Sequence, residues 1–548
     1  MQREDQIQKL KTEKFHLLVI GGGATGAGIA LDAASRGLKV ALIERDDFAS
    51  GTSSRSTKLI HGGVRYLEQA VKKLDKEQWN LVKDALHERS TLIKIAPHLS
   101  HSIALVTAIY NWFRVPYFRV GLKMYDWLAG RHNLSPSRYL NAKDALKNFP
   151  MLKAKGLRGG VLYYDGQFDD ARMNVSIALT AAEHGAVVLN HTEVTGFTKE
   201  GKKISGAKVK AMSNGDEFEI SAQVVINATG PFADKIRKMD DPDVKPILSA
   251  SSGIHIVLDK KFSPPATGLL IPRTEDGRVL FLLPWLGHTL VGTTDKPAKI
   301  EKNPKVSEED IQYILRHLDQ YFDMPVSRED VLASWSGLRP LVSDPKASDT
   351  AKLSRDHVIN HSPSGLITIA GGKWTTYRLM ARDAVDQAVA QGQLPQKDSC
   401  HTENILIRGA KGYSGKLTQR LGEEFKLKPD VAYHLAKSYG THAIDIARLA
   451  RDGHNQRLAK NHPYLEAEVV YAIQEEFAFN PVDILARRTR LTFLDAQAAR
   501  QALPRVLDLL ATHFAWDETR KQEEEQRFFQ YLDHAPVHDK NPAEKKSA

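Results

Sequence analysis

The residue types and spacing that could do chemistry gather first near the start of the chain. Gly21-Gly22-Gly23-Ala24-Thr25-Gly26 fits the pattern G-x-G-x-x-G and follows the apolar run Leu17-Leu18-Val19-Ile20. Gly21 allows a tight turn, Gly23 lets backbone approach a pyrophosphate, and Gly26 lets the next helix lie close to its strand. Ala24 and Thr25 lie within the turn, and the helix that follows, Ala27 to Ser35, turns its N-terminal amide N–H groups and dipole to the phosphates. A second apolar run, Val40-Ala41-Leu42-Ile43, ends at Glu44, with Arg45 beside it. Glu44 stands close to the ~20 residues beyond the motif at which an acid holds a ribose hydroxyl. This is the chemistry of a dinucleotide site.

Further glycine-rich stretches extend it. Thr52, Ser53, Ser54, Lys58 and Leu59 lead to His61-Gly62-Gly63, and small hydroxyl residues before a Gly-Gly pair suit backbone running under a flat ligand and its phosphates. Ala228-Thr229-Gly230 ends the buried run Val224–Asn227 and returns a second glycine turn to the same sheet. Gly371-Gly372-Lys373-Trp374-Thr375-Thr376 follows the run Leu366–Ala370 and leads a helix through Val389. A helix N-terminus there, capped by a threonine, stabilises developing negative charge. A reduced flavin carries such charge and a nicotinamide does not, so the pattern points to FAD rather than NAD.

The elements that position these residues alternate in kind. Phe15–Glu44 reads as strand, turn, helix and strand. Trp79–Ile95 is an amphipathic helix, and Asp165–Arg172 a turn into a helix over Met173–His184. Ala207–Met212 and Phe218–Ser221 form a hairpin about Asn214-Gly215. Short strands at Ile254–Leu258, Gly268–Ile271, Val279–Leu283 and Thr289–Gly292 make an antiparallel sheet, mainly over residues 249–340, with Arg339 of Ser336-Gly337-Leu338-Arg339-Pro340 on a strand-end loop. Helical segments follow from Gly415 to His513. The chain therefore divides into a polar lead-in over 1–14, an α/β FAD-binding domain over 15–400 interleaved with a substrate sheet, an all-α domain over 401–536, and a disordered tail over 537–548.

Composition narrows the classes. At 548 residues the chain exceeds one core's usual capacity, and 42% hydrophobic with 26% charged residues is ordinary for a globular protein. One cysteine, Cys400, excludes an intramolecular disulfide framework and any metal site built from several cysteines, and no metal is expected. Met1–Lys14 lacks the apolar core of a secretory signal, and no apolar run approaches the ~18 residues a membrane span needs. The net charge of +10 suits anionic lipid or an anionic substrate. Basic residues are scattered and no nucleic-acid motif is present. In Ile103–Arg131, Tyr110, Trp112, Phe113, Tyr117, Phe118 and Trp127 interleave with Arg114, Arg119, Lys123 and Arg131. Two readings stand for that stretch: a monotopic membrane contact or a core helix pair with snorkelling cations.

The opening GGGATG, the stretch TSSRSTKLIHGGVRYLE at 52–68, INATGP at 226–231, SGLRP at 336–340, GGKWTTYR at 371–378 and ARRTRLTFLD at 486–495 together resemble the respiratory, FAD-dependent glycerol-3-phosphate dehydrogenases. The resemblance covers nearly the whole chain. It implies the D-amino-acid-oxidase-like fold, with a Rossmann-like FAD-binding domain, an interleaved substrate sheet and a C-terminal helical domain. It implies oxidation of sn-glycerol 3-phosphate to dihydroxyacetone phosphate, with electrons passed to membrane quinone. It further implies a cytoplasmic protein attached peripherally to the inner face of the cytoplasmic membrane, and a homo-oligomer, a dimer. No EF-hand loop is found near the C-terminus, so calcium control is not expected. A glycerol-3-phosphate oxidase, passing electrons to dioxygen, is the competing reading, although the insertion common in that branch is not seen.

For such a substrate the site needs cationic clamps and a proton acceptor. Arg339 and Arg355 are candidates for the phosphate, since a guanidinium grips phosphate oxygens bidentately. Arg65 and Tyr66 match a substrate-contact position of the family. His255 is favoured narrowly over His61 as acceptor of the hydroxyl proton. Lys373 could polarise the alcohol or hold flavin and substrate oxygens. Arg487, Arg488 and Arg490 are expected on a cationic surface of the helical domain.

Overall fold

The computed structural model describes residues 2–63, 76–343 and 357–534. Among these residues two sheets carry the architecture. The first sets parallel strands in the order Ile367–Gly371, Glu217–Asn227, Lys14–Ile20, Val40–Ile43, Val187–Leu189. His357–His361 adds an antiparallel edge, and the Thr192–Glu200/Lys203–Ala211 hairpin pairs onto the start of Glu217–Asn227. Leu17 to Ile20 are all buried, as a central strand covered on both faces requires. The Ala24–Ser35 helix crosses to Val40–Ile43 and lies between the helices Asp170–Glu183 and Tyr377–Gly392. Its small residues permit that closeness: a Cβ on Gly28 would meet the Tyr377 ring at 2.8 Å.

The opposite face is covered by the helix Arg3–Thr12, whose Ile7 and Leu10 are buried against Phe15, Val187 and Leu189. The N-terminal segment, expected only as a polar lead-in, is therefore an ordered helix. Arg3 fixes its start, donating to the carbonyls of Asn190 and Phe477, each at 2.9 Å. Two apolar residues suffice for docking, and they are masked in the sequence by the charges around them.

The second sheet is larger than residues 249–340 alone. Its order runs Lys296–Pro297, Leu248–Asp259, His288–Gly292, Leu280–Trp285, Thr267–Ile271, Ser100–Ile109, Gly159–Phe168, Leu59–Ile60, with Val331–Val342 also pairing to Leu248–Asp259. Thr267–Ile271 and Ser100–Ile109 are parallel and the other pairs antiparallel. Three expectations change here. Ile103–Arg131 is not a helix pair: its start belongs to the Ser100–Ile109 strand and its end to the helix Val115–Ala129. Asp165–Phe168 is strand, not turn. Arg339 lies within the Val331–Val342 strand rather than on a loop, because Pro340 sits where the strand tolerates a missing N–H.

Alternation along Leu248–Asp259 divides the second sheet's two faces. Ile254, Ile256 and Leu258 pack under the helix Glu308–Tyr321, whose N-cap Ser307 accepts the N–H of Asp310 at 3.2 Å. Val257, with Ala333 and Trp335 of the neighbouring strand, faces Ile484, Leu485, Phe493 and Leu494 of the C-terminal region. That region holds the helices Lys416–Phe425, Pro429–Tyr439, Ala443–Arg451, Glu466–Glu475 and Ala496–Phe514, and a further one, Glu518–Leu532, absent from the sequence reading. Among the described residues no helix is long and apolar enough to cross a membrane.

Charge reinforces the attachment of this region. Arg172, on the helix beside the first sheet, grips Glu476 bidentately at 2.7 and 2.8 Å, both side chains being buried. Burial alone would raise the Glu476 carboxyl, but Arg172 and Arg488 carry it below its ordinary value. Removing one partner of a buried pair strands the other charge and costs about 3–5 kcal/mol. Glu476→Gln should therefore lower the unfolding free energy by that order. Since the folded pKa is depressed, the wild-type advantage is present above the unfolded carboxyl pKa and fades as pH falls through the folded value. Denaturant titrations at neutral and acid pH check both points: the gap between the two proteins should narrow in acid.

Candidate active site

A cleft of about 200 Å³ opens at the C-terminal ends of the first sheet's strands, the place where parallel α/β sheets bind ligands. Gly21, Gly23, Ala24, Thr25, Glu44, Arg45, Thr52, Ser53, Ala228, Thr229, Gly230, Gly372 and Lys373 line it, together with Trp374, Tyr377 and Phe232. Gly26, Ser54, Lys58, Leu59, His61, Gly62, Gly63, Thr375 and Thr376 do not. Gly26 acts from behind, where a Cβ would collide with the carbonyl oxygen of Gly21. Gly21 itself has φ +111°, and a Cβ there would meet the Ala228 carbonyl oxygen at 2.6 Å. The two glycine turns thus touch, and only glycine fits.

Glu44 ends its strand with both carboxylate oxygens on backbone: Gly22 N–H donates at 2.6 Å and Asp46 N–H at 2.9 Å. Burial and the neighbouring Asp46 push its carboxyl upward against those two amides. The late Gly371-Gly372 turn passes through the short helical turn Trp374–Thr376 before Tyr377–Gly392 begins. Thr376 occupies the N-cap without a side-chain cap bond, so the expected threonine cap is not formed. Trp374 instead donates its indole N–H to the Ser53 carbonyl at 2.9 Å.

Residues 51–58 join the cleft to the second sheet. Ser53 Oγ accepts the Ala24 N–H at 2.9 Å, Thr52 Oγ1 donates to the Leu338 carbonyl at 2.7 Å, and Thr57 Oγ1 lies 2.9 Å from His255 Nε2. Lys58, at φ +64°, is wholly buried, donating to Asp170 at 2.7 Å and to the Ser54 carbonyl at 2.9 Å. Burial, countered by Asp170, leaves its ammonium pushed down to about 7. The sequence reading placed Asp170 only within the Asp165–Arg172 turn that leads into a helix. Ser56, Lys58 and Arg490, whose side chains donate to it, lie far from it along the chain, so no local pattern marks it.

His255 sits mid-strand, its ring stacked on Trp335 at 5.3 Å and 14°. Gly292, its cross-strand neighbour, leaves it room, since a Cβ would strike the imidazole. Burial, with Lys58 and Arg339 nearby, holds its pKa well below the ordinary histidine value, and among the described residues Nδ1 has no hydrogen-bond partner. Arg339 is 26% exposed, 3.2 Å from Asp295 and 3.1 Å from Thr293 Oγ1 and the Thr294 carbonyl. In register, His255 opposes Trp335 and Ser251 opposes Arg339, with Gly253 opposite Gly337 between. His255 and Arg339 therefore share one face of the strand pair, separated by residues without side chains. His61 is partly exposed beside Gly62, and Arg65, Tyr66 and Arg355 lie outside the described residues.

Arg487, Arg488 and Arg490 are buried rather than on a cationic surface. Arg487 and Arg488 hold Asp47 at 2.6 and 2.7 Å, and Arg487 also holds Asp483 at 2.6 Å. Asp47, His191 and Asp483 come close enough for one metal ion, but Arg487 bridges the two carboxylates, which makes the group an ion-pair cluster.

Residues 16–378 match the family described as FAD dependent oxidoreductase, and residues 400–521 match the C-terminal domain of alpha-glycerophosphate oxidase. Mitochondrial glycerol-3-phosphate dehydrogenase of Mus musculus is 52% identical over 537 residues, covering 95% of this chain and 74% of the relative. The chain belongs to the FAD-dependent glycerol-3-phosphate dehydrogenases. The mitochondrial enzyme of Arabidopsis thaliana is 48% identical over 95% of this chain and 86% of its own. A crystal structure of glycerol-3-phosphate dehydrogenase from Bacillus halodurans, complexed with FAD, superposes with a TM-score of 0.80 at 31% identity, over 97% of each chain. The cofactor is FAD, and the cleft fits it: glycine turns that admit no Cβ, a helix N-terminus and a fixed Glu44 are the donor set a dinucleotide needs. Gly26→Ala should purify without the yellow colour while keeping its far-ultraviolet circular dichroism, because the Cβ displaces the Gly21 turn on which the pyrophosphate rests.

Proposed function

We propose that the protein oxidises sn-glycerol 3-phosphate to dihydroxyacetone phosphate and delivers the electrons to membrane quinone. The observation that carries this reading is the shared sheet face of His255 and Arg339, with glycines between them and the flavin cleft alongside. When bound, the flavin supplies the hydride acceptor. The protein's part is to bind a phosphate dianion, aim the substrate's central carbon and take the hydroxyl proton.

Arg339 binds the phosphate bidentately. It can turn from Asp295 without stranding that carboxylate, because Arg278 also pairs with Asp295. Arg355, Arg65 and Tyr66 complete the clamp. His255 accepts the hydroxyl proton, and its depressed pKa keeps the imidazole neutral and receptive at physiological pH. The incoming dianion offsets the field of Arg339 and raises that proton affinity once substrate is bound. Lys373, lining the cleft, holds substrate or flavin oxygens. His61, which like His255 does not itself line the cleft, is the second choice of base.

The membrane reading rests on the surface around Val115–Ala129. Phe113 is 92% exposed and Trp127 73%, with Trp112 and Val120 also exposed and Lys123 projecting beside them. Large apolar tips with cations among them suit the headgroup level of an anionic leaflet. Attachment is peripheral, at the inner face of the cytoplasmic membrane, and a homodimer is the assembly implied by family resemblance.

Anaerobic absorbance tests the whole reading. Glycerol 3-phosphate should bleach the yellow protein, a long-chain quinone carried in anionic vesicles should restore the colour quickly, and air should restore it slowly. Absence of bleaching overturns the substrate. Fast recovery in air with hydrogen peroxide makes the protein an oxidase instead.

A further inference from the structure

Arg339 does not wait for its substrate as a loose cation. Its Nη1 donates to Asp295 Oδ1 at 3.2 Å, and its Nη2 to Thr293 Oγ1 and the Thr294 carbonyl, each at 3.1 Å. The guanidinium lies over Gly253, two residues from His255, where a Cβ would come within 2.5 Å of Nη2. Both terminal nitrogens that a bidentate phosphate grip uses are therefore engaged by segment 293–295. A substrate phosphate and Asp295 compete for the same N–H groups.

Asp295 has a second cation. Arg278 Nη1 donates to its other oxygen, Oδ2. Arg278 is itself fixed from behind: its Nε lies 3.2 Å from Asp276 Oδ2, and Asp276 Oδ1 accepts from the hydroxyls of Thr274 at 2.6 Å and Tyr313 at 2.7 Å. Tyr313 belongs to the helix Glu308–Tyr321 packed under the second sheet, so Arg278 is anchored to a rigid element. The Asp295 side chain is 5% exposed, so solvent screens its charge weakly. Left without a cation it would repel an incoming dianion; shared between two, it can release one.

We propose that Arg278 is a positioning residue for the reaction: by holding Asp295 Oδ2 it keeps that carboxylate paired while Arg339 turns to the substrate's phosphate, and so sets the affinity of the site for a dianion. This role rests on Arg339 being the phosphate ligand. Without Arg278, Asp295 holds Arg339 more tightly and turns its charge on the phosphate, and binding weakens. Without the charge of Asp295, Arg339 is released and Arg278 adds its field, and binding tightens. Removing both returns the site towards its starting affinity.

Anaerobic stopped-flow bleaching of the FAD-loaded protein by glycerol 3-phosphate separates the substrate Kd from the limiting rate. Arg278→Gln should raise that Kd about tenfold, the worth of one charge-assisted contact, with the loss falling on Kd rather than on the limiting rate. The inhibition constant of inorganic phosphate should rise in the same proportion. Asp295→Asn should lower the Kd, and the double variant should fall back towards wild type. Equal Kd in wild type and Arg278→Gln, or a rise in both single variants, overturns the proposal while leaving the substrate in place. A wild-type protein that glycerol 3-phosphate does not bleach overturns the substrate and this role together. Asp295→Asn decides the matter even where Arg278→Gln does not fold, since a Kd above the wild-type value contradicts the competition for Arg339.

Discussion

One buried carboxylate gathers the parts of this molecule that have to stay in register. Asp170 accepts from Lys58 Nζ at 2.7 Å, from Ser56 through its hydroxyl at 2.7 Å and its amide at 3.0 Å, and from Arg490 at 3.3 Å. Arg490 and Lys58 both also donate to the Ser54 carbonyl. The helix beside the first sheet, the segment under the cofactor and the C-terminal region therefore meet at a single charge. Burial, with Arg490 adding to it against Asp170, pushes the Lys58 ammonium down, and burial with Lys58 and Arg339 nearby keeps His255 neutral.

The energetics favour this interior arrangement over the surface. Pairs such as Lys208–Glu219, exposed on both sides, contribute about 0–1 kcal/mol. Breaking Arg172–Glu476 or Arg488–Asp47, where both members are buried, costs several times as much. The C-terminal region thus reaches into the site: Arg490 steadies the segment whose Thr57 orients His255 and whose Thr52 ties down the strand of Arg339.

Local chemistry was the part legible in the sequence. The glycine turns and Glu44 announce themselves because the motif's spacing is its mechanism, and the strands and helices around them follow from periodicity. Long-range charge was not legible. Arg487, Arg488 and Arg490 read as surface cations because a buried arginine differs from an exposed one only by partners hundreds of residues away. The same holds for Arg3 and the helix it anchors, and for the Ser100–Ile109 strand, whose partner, Gly159–Phe168, lies beyond the intervening helix. Arg339 reads as lying on a loop, since Pro340 signals a turn locally, while the sheet edge accepts it within a strand.

Hydrogen–deuterium exchange on Asp170→Asn, read together with FAD retention, tests the central claim most directly. The variant keeps the side chain's size and removes its charge. Losing charge-assisted hydrogen bonds costs about 1.5–3 kcal/mol each, so amides over residues 52–60 should exchange about tenfold faster or more, and FAD should be lost on dialysis, while Lys14–Ile20 stays protected. Exchange over 52–60 equal to wild type, with FAD retained, would contradict the account.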